Sequence, residues 1–301
     1  MGPTASGKTD LAIHLVKHYP FEIISVDSAL IYKDMNIGTA KPNAEELAIA
    51  PHRLIDFLDP LDSYSVAEFR ENALAHIKSI HHNNKIPLLV GGTMLYHRAL
   101  LYGLSELPSA DQSIRARLDT LITEHGSHFL HQQLQEIDPQ SAGKIHPNDP
   151  QRIQRAIEVY ELTGKPLSQL QLESKQEALG YPHKKIIIAP STRDLLRERI
   201  AIRFKQMIKS GFVDEVKALY DRGDLSLDLP SIRSVGYRQV WEYLENKVTY
   251  DEMIENGITI TRQFAKRQMT WLRRENDALW INSEDPQVNI LAENFLQTMI
   301  E

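Results

Sequence analysis

"GPTASGKT", residues 2–9, has the spacing of a phosphate-binding loop: a glycine, four residues, a second glycine, a lysine and a threonine. Such a loop connects a buried strand to a helix, and its backbone N–H groups at the helix N-terminus hold phosphate groups. The pattern therefore predicts an α/β fold of the phosphate-loop nucleotide-hydrolase (NTPase) type, in which a parallel sheet is flanked by helices.

The loop also predicts contacts to a diphosphate. Lys8 supplies a positive charge, and the Thr9 hydroxyl can bind Mg²⁺ or a phosphate oxygen. The loop alone does not distinguish ATP from another diphosphate. We predict that all eight residues form the diphosphate site: Gly2, Pro3, Thr4, Ala5, Ser6, Gly7, Lys8 and Thr9.

Apolar, β-branched runs elsewhere predict the other strands, which lie at residues 21–26, 52–57, 86–90 and 184–189, with an edge strand at 278–282. Apolar residues at helical spacing predict helices over residues 10–17, 66–80, 193–220 and 250–275. Strand signals stop in the middle of the chain. We therefore expect a helical insertion, residues 106–184, within a phosphate-loop unit formed by residues 1–105 and 185–301.

Only Met1 precedes the phosphate loop, where this fold normally has a central strand. We therefore expect the first central strand to be missing, either because the start has been assigned at an internal methionine or because the strand is lost. Loss of a central parallel strand exposes unpaired edges and apolar side chains, so we expect a destabilised sheet.

Composition narrows the class of protein. The 301 residues include no cysteine, which excludes disulfides and thiolate metal sites, and no N-terminal apolar stretch indicates a signal peptide or a membrane span. We expect a cytoplasmic monomer with no membrane partner. The formal net charge is −6, so a nucleic acid would have to bind through local basic patches.

Asp27 follows the first predicted strand, at the carboxyl edge toward which a phosphate loop also points. There it could act as a general base or as an Mg²⁺ ligand, or it could only cap the turn that follows. The strand over residues 86–90 runs into two glycines, whereas a nucleotide hydrolase usually places an aspartate there to hold Mg²⁺. That difference argues against an ATPase but leaves small-molecule kinases open.

Residues 262–274, "RQFAKRQMTWLRR", contain five basic residues and no acidic one. Helical spacing places three of them on one face: Arg262, Lys266 and Arg273. Such a face is either an ordinary solvated surface or a binding surface for a polyanion. Shorter basic segments occur in "QRIQR", residues 151–155, and in "LRERIAIRF", residues 196–204, where acidic neighbours could pair with the arginines.

Taken together, seven stretches resemble the bacterial tRNA dimethylallyltransferases, a family also called tRNA isopentenyltransferases. A generic phosphate-loop protein would share only the first stretch. The seven are "GPTASGKT" (2–9), "SVDSALIYKDMNIGTAKP" (25–42), "HRLIDFLDPLDSYSVAEF" (52–69), "LLVGGTMLY" (88–96), "DPQRIQRAIEVYELTGKP" (149–166), "DLPSIRSVGYRQ" (228–239) and "KRQMTWLRR" (266–274).

The resemblance implies transfer of a dimethylallyl group from dimethylallyl diphosphate to N6 of the adenosine next to the anticodon on its 3′ side, position 37 of tRNA. The loop would then hold an allylic diphosphate with Mg²⁺ in place of ATP. Adenine N6 is a poor nucleophile because its lone pair is delocalised, so a base is needed, and Asp27 matches that base. Thr9 matches the loop threonine, and Arg203, favoured over Arg199, would neutralise the leaving diphosphate.

The resemblance also implies a surface for the tRNA anticodon stem-loop, with the target adenosine extruded into the site. The insertion would hold the stem mainly through backbone phosphates, and loop bases would supply specificity. The implied contacts are Asp27, Ser28, Ala29, Leu30, Thr93, Arg115, Gln151, Arg152, Ile153, Gln154, Arg155, Ile232, Arg233, Ser234, Val235, Gly236, Tyr237, Lys266, Arg267, Gln268 and Trp271.

Two other classes of protein share some of these features. A small-molecule or nucleoside kinase would share the phosphate loop and the parallel sheet, and it would consume ATP. An RNA chaperone or scaffold would use the basic helix alone and would have no need of Asp27.

Overall fold

The computed structural model describes residues 1–174 and 177–300. The chain divides into two compact units, here called the main unit (Met1–Leu101 with Tyr181–Glu301) and the inserted unit (Tyr102–Gly180). The inserted unit begins at residue 102 where the sequence predicted 106, and it ends at residue 180 where the sequence predicted 184.

The strands of the main unit pair in parallel, and helices flank them, which confirms the predicted α/β class. The first strand pairs with both of the next two, so that Ile24 lies opposite Arg53 and Ser25 opposite Val90. The strands are β1 (Phe21–Ser25), β2 (His52–Arg53), β3 (Ile86–Val90), β4 (Lys185–Ala189) and β5 (Ala278–Asn282).

These strands form two sheets, where the sequence suggested one: a three-stranded sheet of order β2-β1-β3 and a two-stranded sheet of β4 and β5. Met1 hydrogen-bonds to β4 at two points. Its carbonyl oxygen accepts from the Ile188 N–H at 3.0 Å, and its ammonium group donates to the Ile186 carbonyl at 2.8 Å. Beside β4, the segment that leads into the phosphate loop thus makes backbone hydrogen bonds through one residue, Met1.

Helices pack around both sheets and make up most of the inserted unit. No helix in the described part of the chain combines the length and the apolar character needed to cross a bilayer. In chain order the helices are α1 (Lys8–His18), α2 (Ala44–Ile49), α3 (Val66–His82), α4 (Met94–Tyr102), α5 (Gln112–His125), α6 (Ser127–Ile137), α7 (Pro139–Ala142), α8 (Pro150–Thr163), α9 (Leu167–Glu173), α10 (Arg193–Lys209), α11 (Phe212–Tyr220), α12 (Tyr237–Leu244), α13 (Tyr250–Leu272) and α14 (Val288–Ile300).

Two of the predicted elements were wrong in extent. The strand predicted over residues 52–57 stops at Arg53, because Leu54 and Asp56 have positive φ angles of 59° and 56°, which an extended strand does not allow. The single helix predicted over residues 193–220 is broken between α10 and α11, where Gly211 has a φ of 95°. A left-handed residue ends a helix, and glycine adopts this conformation most readily.

The main unit buries its largest apolar cluster beneath α10 to α13, around the fully buried rings of Phe212 and Tyr237. A second cluster joins α1 to α14 through Leu11, Leu15 and Leu296. The inserted unit has its own core, centred on Leu130, Leu134 and other side chains of α5 to α9. Each unit therefore has an apolar core of its own.

Candidate active site

The phosphate loop turns directly into α1 through two residues with positive φ angles, Ala5 at 60° and Gly7 at 82°. Gly7 is the N-cap of α1, and no side chain caps that end of the helix. The N–H groups of the first turn therefore stay available to an anion, which the helix dipole also attracts. This backbone geometry is suited to binding a phosphate group.

The carboxyl ends of β1 and β3 and the phosphate loop open onto one cavity of about 400 Å³. Four of the eight loop residues line it, while Gly2, Pro3 and Ser6 are buried behind the loop and Gly7 is exposed. The rest of the lining comes from short segments of the main unit. It comprises residues 25, 27–30, 38–40, 42, 52 and 90–92, part of α10, residues 230, 233–235 and 237, and residues 261, 264 and 268 of α13.

Asp27 both caps a turn and faces the cavity. Its Oδ1 accepts hydrogen bonds from the backbone N–H groups of Ala29 at 2.9 Å and Leu30 at 3.3 Å. The residue also lines the cavity. Capping the turn and lining the cavity are therefore compatible, because the hydrogen bonds that order the turn use Oδ1.

Two cations stand near Asp27. Burial lowers the pKa of Lys8 to about 8. The charge of Asp27 opposes this shift, and the charge of Arg203 adds to it. Burial likewise lowers the pKa of Arg203, with Asp27 acting in the opposite direction. Two partly desolvated cations and one carboxylate leave the cavity with an excess of positive charge. That balance suits an anionic ligand such as a diphosphate.

The two candidate arginines of α10 have different surroundings. Arg203 lines the cavity, whereas Arg199 donates from Nη1 to the Ser283 hydroxyl at 2.6 Å. Lys8 donates from Nζ to the Pro3 carbonyl at 2.7 Å, so that its ammonium group is held across the phosphate loop. Lys8 and Arg203 are therefore both cations of the cavity lining.

One wall of the cavity is a loop, residues 36–42, held by a carboxylate from another part of the chain. Glu215 of α11 accepts from the backbone N–H groups of Asn36, Ile37 and Gly38 at 2.9, 2.7 and 3.1 Å. Sequence analysis missed this residue, because a glutamate in "FVDEV" differs in no visible way from one on a solvated helix face.

Helix α13 divides into an exposed basic side and a buried side. Lys266 and Arg267 are exposed, whereas Gln268 is only 5% exposed. Trp271 is half-buried, and the guanidinium carbons of Arg98 and Arg274 lie 6.0 and 5.8 Å from its ring centroid. Arg98, an exposed residue of α4, was also missed by sequence analysis, because it stands alone in an apolar stretch.

The segment from Ile232 to Tyr237, expected to contact tRNA throughout, is split by burial. Ile232 and Tyr237 are 0% exposed and pack inside the main unit, although Tyr237 also borders the cavity. Arg233 is exposed and, with Ser234 and Val235, lines the cavity. Gly236 is buried as well, so the surface of the segment is formed by Arg233, Ser234 and Val235.

The family model described as IPP transferase matches residues 30–275. This chain belongs to the IPP transferase family. Among solved structures, a full-length tRNA isopentenylpyrophosphate transferase from Bacillus halodurans is 37% identical, with 99% of this chain and 94% of that protein covered and a TM-score of 0.72. A tRNA Δ(2)-isopentenylpyrophosphate transferase from Staphylococcus epidermidis is 34% identical, with 99% and 96% covered and a TM-score of 0.70.

A eukaryotic dimethylallyltransferase acting on tRNA is also similar, at 26% identity and a TM-score of 0.82, over 99% of this chain and 77% of that protein. The resemblance drawn from the seven motifs is confirmed, and so is the predicted enzyme class, a prenyltransferase. The family model begins after the phosphate loop and Asp27, but the solved relatives align over 99% of the chain and so extend to those residues.

The "QRIQR" segment of this IPP transferase lies at the start of α8 in the inserted unit. Gln151 and Arg152 are exposed, but Ile153 is 0% exposed and belongs to the core of that unit, so its side chain is not available to RNA. Gln154 donates to the Arg115 carbonyl at 3.1 Å and to Asp119 at 2.8 Å.

A buried carboxylate engages the two other candidate arginines of the inserted unit. Glu158, 0% exposed, accepts from Arg115 Nε at 2.8 Å and from Arg155 Nη1 at 2.6 Å. Arg155 also donates to the Pro108 carbonyl at 2.6 Å. These contacts give both arginines a structural role inside the unit, whatever else they bind.

The donor set for Mg²⁺ is small. The described residues contain no group of three His, Cys, Asp or Glu side chains that could hold a metal ion. Thr9, with its hydroxyl group, and Asp27, with its carboxylate, are among the residues that line the cavity of this IPP transferase. Mg²⁺ keeps several waters and often takes its other ligands from substrate phosphates, so one or two protein oxygens fit it.

Proposed function

We propose that this IPP transferase transfers a dimethylallyl group from dimethylallyl diphosphate to N6 of the adenosine at position 37 of tRNA. Family membership supports the transfer of a prenyl group. The observation that carries the finer proposal is the meeting of Lys8, Arg203 and Asp27 at one cavity that begins at a phosphate loop. A diphosphate needs the cations and the loop, and the acceptor amine needs the carboxylate.

In the proposed reaction, the N6 lone pair forms a bond to C1 of the dimethylallyl group while the bond from C1 to the diphosphate oxygen breaks. The diphosphate leaves with the bonding electrons, and its growing negative charge is stabilised by Lys8, Arg203 and the N–H groups at the start of α1. These groups are ordered before the reaction, so little reorganisation is needed during it.

Asp27 takes the N6 proton. Proton removal as the new bond forms compensates for the weak nucleophilicity of an aromatic amine. The hydrogen bonds from Ala29 and Leu30 to Oδ1 orient the carboxylate and leave Oδ2 as the proton acceptor. Asp27 is therefore a base that the backbone of its own turn holds in place.

Mg²⁺ is proposed as the metal of this reaction, with the Thr9 hydroxyl among its ligands. When bound, the ion supplies positive charge to the departing diphosphate. Thr9 lies in the first turn of α1, next to Lys8, so the hydroxyl and the ammonium group approach the diphosphate from the same element.

The proposed tRNA surface has a part in each unit. In the main unit it comprises Ser28 to Leu30, Thr93, Arg233 to Val235, Lys266, Arg267 and Trp271. The Thr93 hydroxyl oxygen accepts from the Ser28 N–H at 3.0 Å, so these two residues form one ordered edge beside Asp27. In the inserted unit we propose Gln151, Arg152, Gln154, Arg155 and Arg115, with the stem bound through its phosphates. Because the acceptor is a tRNA, we propose that the enzyme acts in the cytoplasm.

The experiment that tests this function is mass spectrometry of unmodified tRNA after incubation with the protein, Mg²⁺ and dimethylallyl diphosphate. The expected product is N6-isopentenyladenosine at position 37, with ATP unchanged in a parallel reaction. Release or transfer of the ATP γ-phosphate without prenylation would instead indicate a kinase.

An Asp27→Asn variant separates catalysis from binding. We expect kcat to fall by about 10²–10⁴-fold, since the amide cannot accept the proton. The affinity for tRNA should stay within about twofold, which distinguishes a base from an RNA contact. Equal losses of activity and affinity would exclude the base role.

A further inference from the structure

Gln268 uses its whole side-chain amide to join two backbone segments of the cavity. Its Oε1 accepts from the Thr4 N–H at 2.9 Å, and its Nε2 donates to the Gly92 carbonyl at 2.8 Å. Thr4 belongs to the phosphate loop, and Gly92 belongs to the turn that follows β3. The side chain itself is 5% exposed and comes from α13, far along the sequence from both.

Only one orientation of this amide satisfies both partners. If the oxygen and nitrogen were exchanged, two N–H groups would face each other at Thr4 and two oxygens at Gly92. The approach also requires a glycine: a Cβ on Gly92 would lie 2.4 Å from Gln268 Nε2. We call this pair of hydrogen bonds the bridge. It depends on the Thr4 N–H, on the glutamine at position 268 and on the glycine at position 92.

We infer that Gln268 is a positioning residue that sets the spacing between the phosphate loop and the Gly92 turn, an inference that rests on the proposed function. This replaces the prediction that Gln268 contacts tRNA, because its amide is buried and both of its polar atoms are engaged with protein. The RNA contacts of α13 are left to its exposed neighbours, Lys266 and Arg267.

The bridge matters for the reaction because both joined segments line the cavity. Lys8 and Thr9 follow Thr4 within the same loop, so a shift of Thr4 displaces the groups that hold the diphosphate. Displacements of about 1 Å at a reacting centre can reduce a rate by about 10²-fold. We therefore expect the loss of Gln268 to change the handling of the diphosphate substrate and to leave tRNA affinity unchanged.

The test compares Gln268→Leu, Gln268→Glu and Gly92→Ala with the unaltered protein. Gln268→Leu removes both hydrogen bonds at similar volume, and Gln268→Glu keeps an acceptor for Thr4 but loses the donor to Gly92. Gly92→Ala perturbs the bridge from its other end. Gln263→Leu, an exposed glutamine on the same helix, is the matched control. Circular dichroism establishes whether each variant is folded. If Gln268→Leu does not fold, Gly92→Ala provides the test of the bridge.

Three measurements distinguish the outcomes: kcat and KM for dimethylallyl diphosphate, the Kd for inorganic diphosphate without tRNA, and the Kd for a tRNA transcript. We expect Gln268→Leu and Gly92→Ala to raise the diphosphate Kd and the KM about tenfold, with tRNA affinity within about twofold. Gln268→Glu should weaken diphosphate binding at least as much as Gln268→Leu, because its second carboxylate oxygen faces the Gly92 carbonyl, and Gln263→Leu should leave binding unchanged. Arg267→Ala should show the opposite pattern, with weaker tRNA binding and an unchanged KM.

Unchanged diphosphate binding and KM in both bridge variants would overturn the inference, and so would a loss of tRNA affinity in Gln268→Leu equal to that in Arg267→Ala. A failure of the proposed function is recognised separately. In that case the unaltered protein does not prenylate tRNA, while the titration of inorganic diphosphate still reports whether the bridge orders the phosphate loop.

Discussion

The Tyr237 hydroxyl donates a 2.6 Å hydrogen bond to Glu215 Oε1, and the same carboxylate accepts from the backbone N–H groups of residues 36–38. Tyr237 is 0% exposed, and its pKa is raised by burial and by the charge of Glu215. One carboxylate thus ties the start of α12 and the cavity-wall loop to α11. The position of that wall depends on Glu215 in addition to the loop's own sequence.

Replacement of Glu215 by alanine should loosen the wall. Four donors lose their acceptor, and we expect the free energy of unfolding to fall by about 2–3 kcal/mol, since each unsatisfied group carries a desolvation cost. KM for dimethylallyl diphosphate should also rise, because Gly38 and Thr39 line the cavity. Urea unfolding and steady-state kinetics measure the two effects. Tyr237→Phe is the matched control: it removes a single bond and should cost about 1 kcal/mol. Equal losses of stability in the two variants would refute the conclusion that Glu215 holds the cavity-wall loop in place.

Lys8 should make the binding of a diphosphate depend on pH. Burial lowers the pKa of its ammonium group to about 8, so near pH 8 about half of the protein holds this residue uncharged. A bound diphosphate favours the charged form, and binding should therefore take up a proton. Affinity should fall as the pH rises through about 8, by up to about tenfold per pH unit. Titration calorimetry in two buffers of different ionisation enthalpy measures the uptake.

The control for this effect is Lys8→Met, in which any remaining pH dependence comes from the ligand or from other groups. In Asp27→Asn the midpoint should move to lower pH, because the charge of Asp27 raises the pKa of Lys8 in the unaltered protein. The effect of Lys8 on stability has the opposite pH dependence from its effect on diphosphate affinity. The unfolded chain holds more protons than the folded one above about pH 8, so this group favours folding more as the pH rises there. The same midpoint in Lys8→Met as in the unaltered protein would exclude Lys8.

Local sequence predicted the parts of the site that depend on local rules. The spacing of Gly7, Lys8 and Thr9 dictates a loop before a helix, and Asp27 follows an apolar run that must end at a sheet edge. Glu215 could not be found this way, since its partners at residues 36–38 lie in a distant part of the sequence and no spacing rule links them. The two-sheet arrangement has the same origin, because β4 pairs with a strand from the far end of the chain.

Gln268 is an intermediate case, because a signal was present in the sequence. It stands three residues after Ala265 and four before Leu272, and both of these are buried on the inner face of α13. That spacing predicts a buried glutamine. The family resemblance, and not the spacing, assigned this polar side chain to the RNA surface. A buried polar residue at an apolar position of a helix needs hydrogen-bond partners, and these turned out to be backbone groups of the site.

Glu158 should be the main electrostatic support of the inserted unit. Burial by itself would raise the pKa of this carboxyl group, but hydrogen bonds from Arg115 and Arg155 outweigh burial and lower it. Glu158→Gln leaves two arginines without a charged partner, and we expect a loss of about 3 kcal/mol in unfolding free energy. Glu161→Gln, which breaks a surface pair with Arg117, should cost less than about 1 kcal/mol.

The acid sensitivity of the two proteins should differ as well. A carboxyl group with a lowered pKa stabilises the fold above its unfolded pKa, and this contribution disappears as the pH falls through the folded value. Unaltered protein should therefore lose stability in mild acid more steeply than Glu158→Gln, which lacks the titrating group. Urea unfolding from pH 7 downward measures both slopes. Parallel curves would mean that Glu158 contributes nothing to the acid transition.

Arg98 should belong to the tRNA surface, although it lies on α4 and outside the basic stretch of α13. It is exposed, and its guanidinium carbon lies 6.0 Å from the ring centroid of Trp271, on which Arg274 also rests at 5.8 Å. A half-buried indole that contacts two arginines restricts both cations, so less entropy is lost when a phosphate binds. Arg98→Ala should therefore weaken tRNA binding and reduce the slope of log Kd against log salt by about one unit. Filter binding at several salt concentrations measures the slope, and KM for dimethylallyl diphosphate should stay unchanged.

Lys78→Ala, which removes an exposed cation from α3, is the control for a general effect of charge. If both variants reduce the slope equally, Arg98 acts through the overall field and makes no phosphate contact of its own.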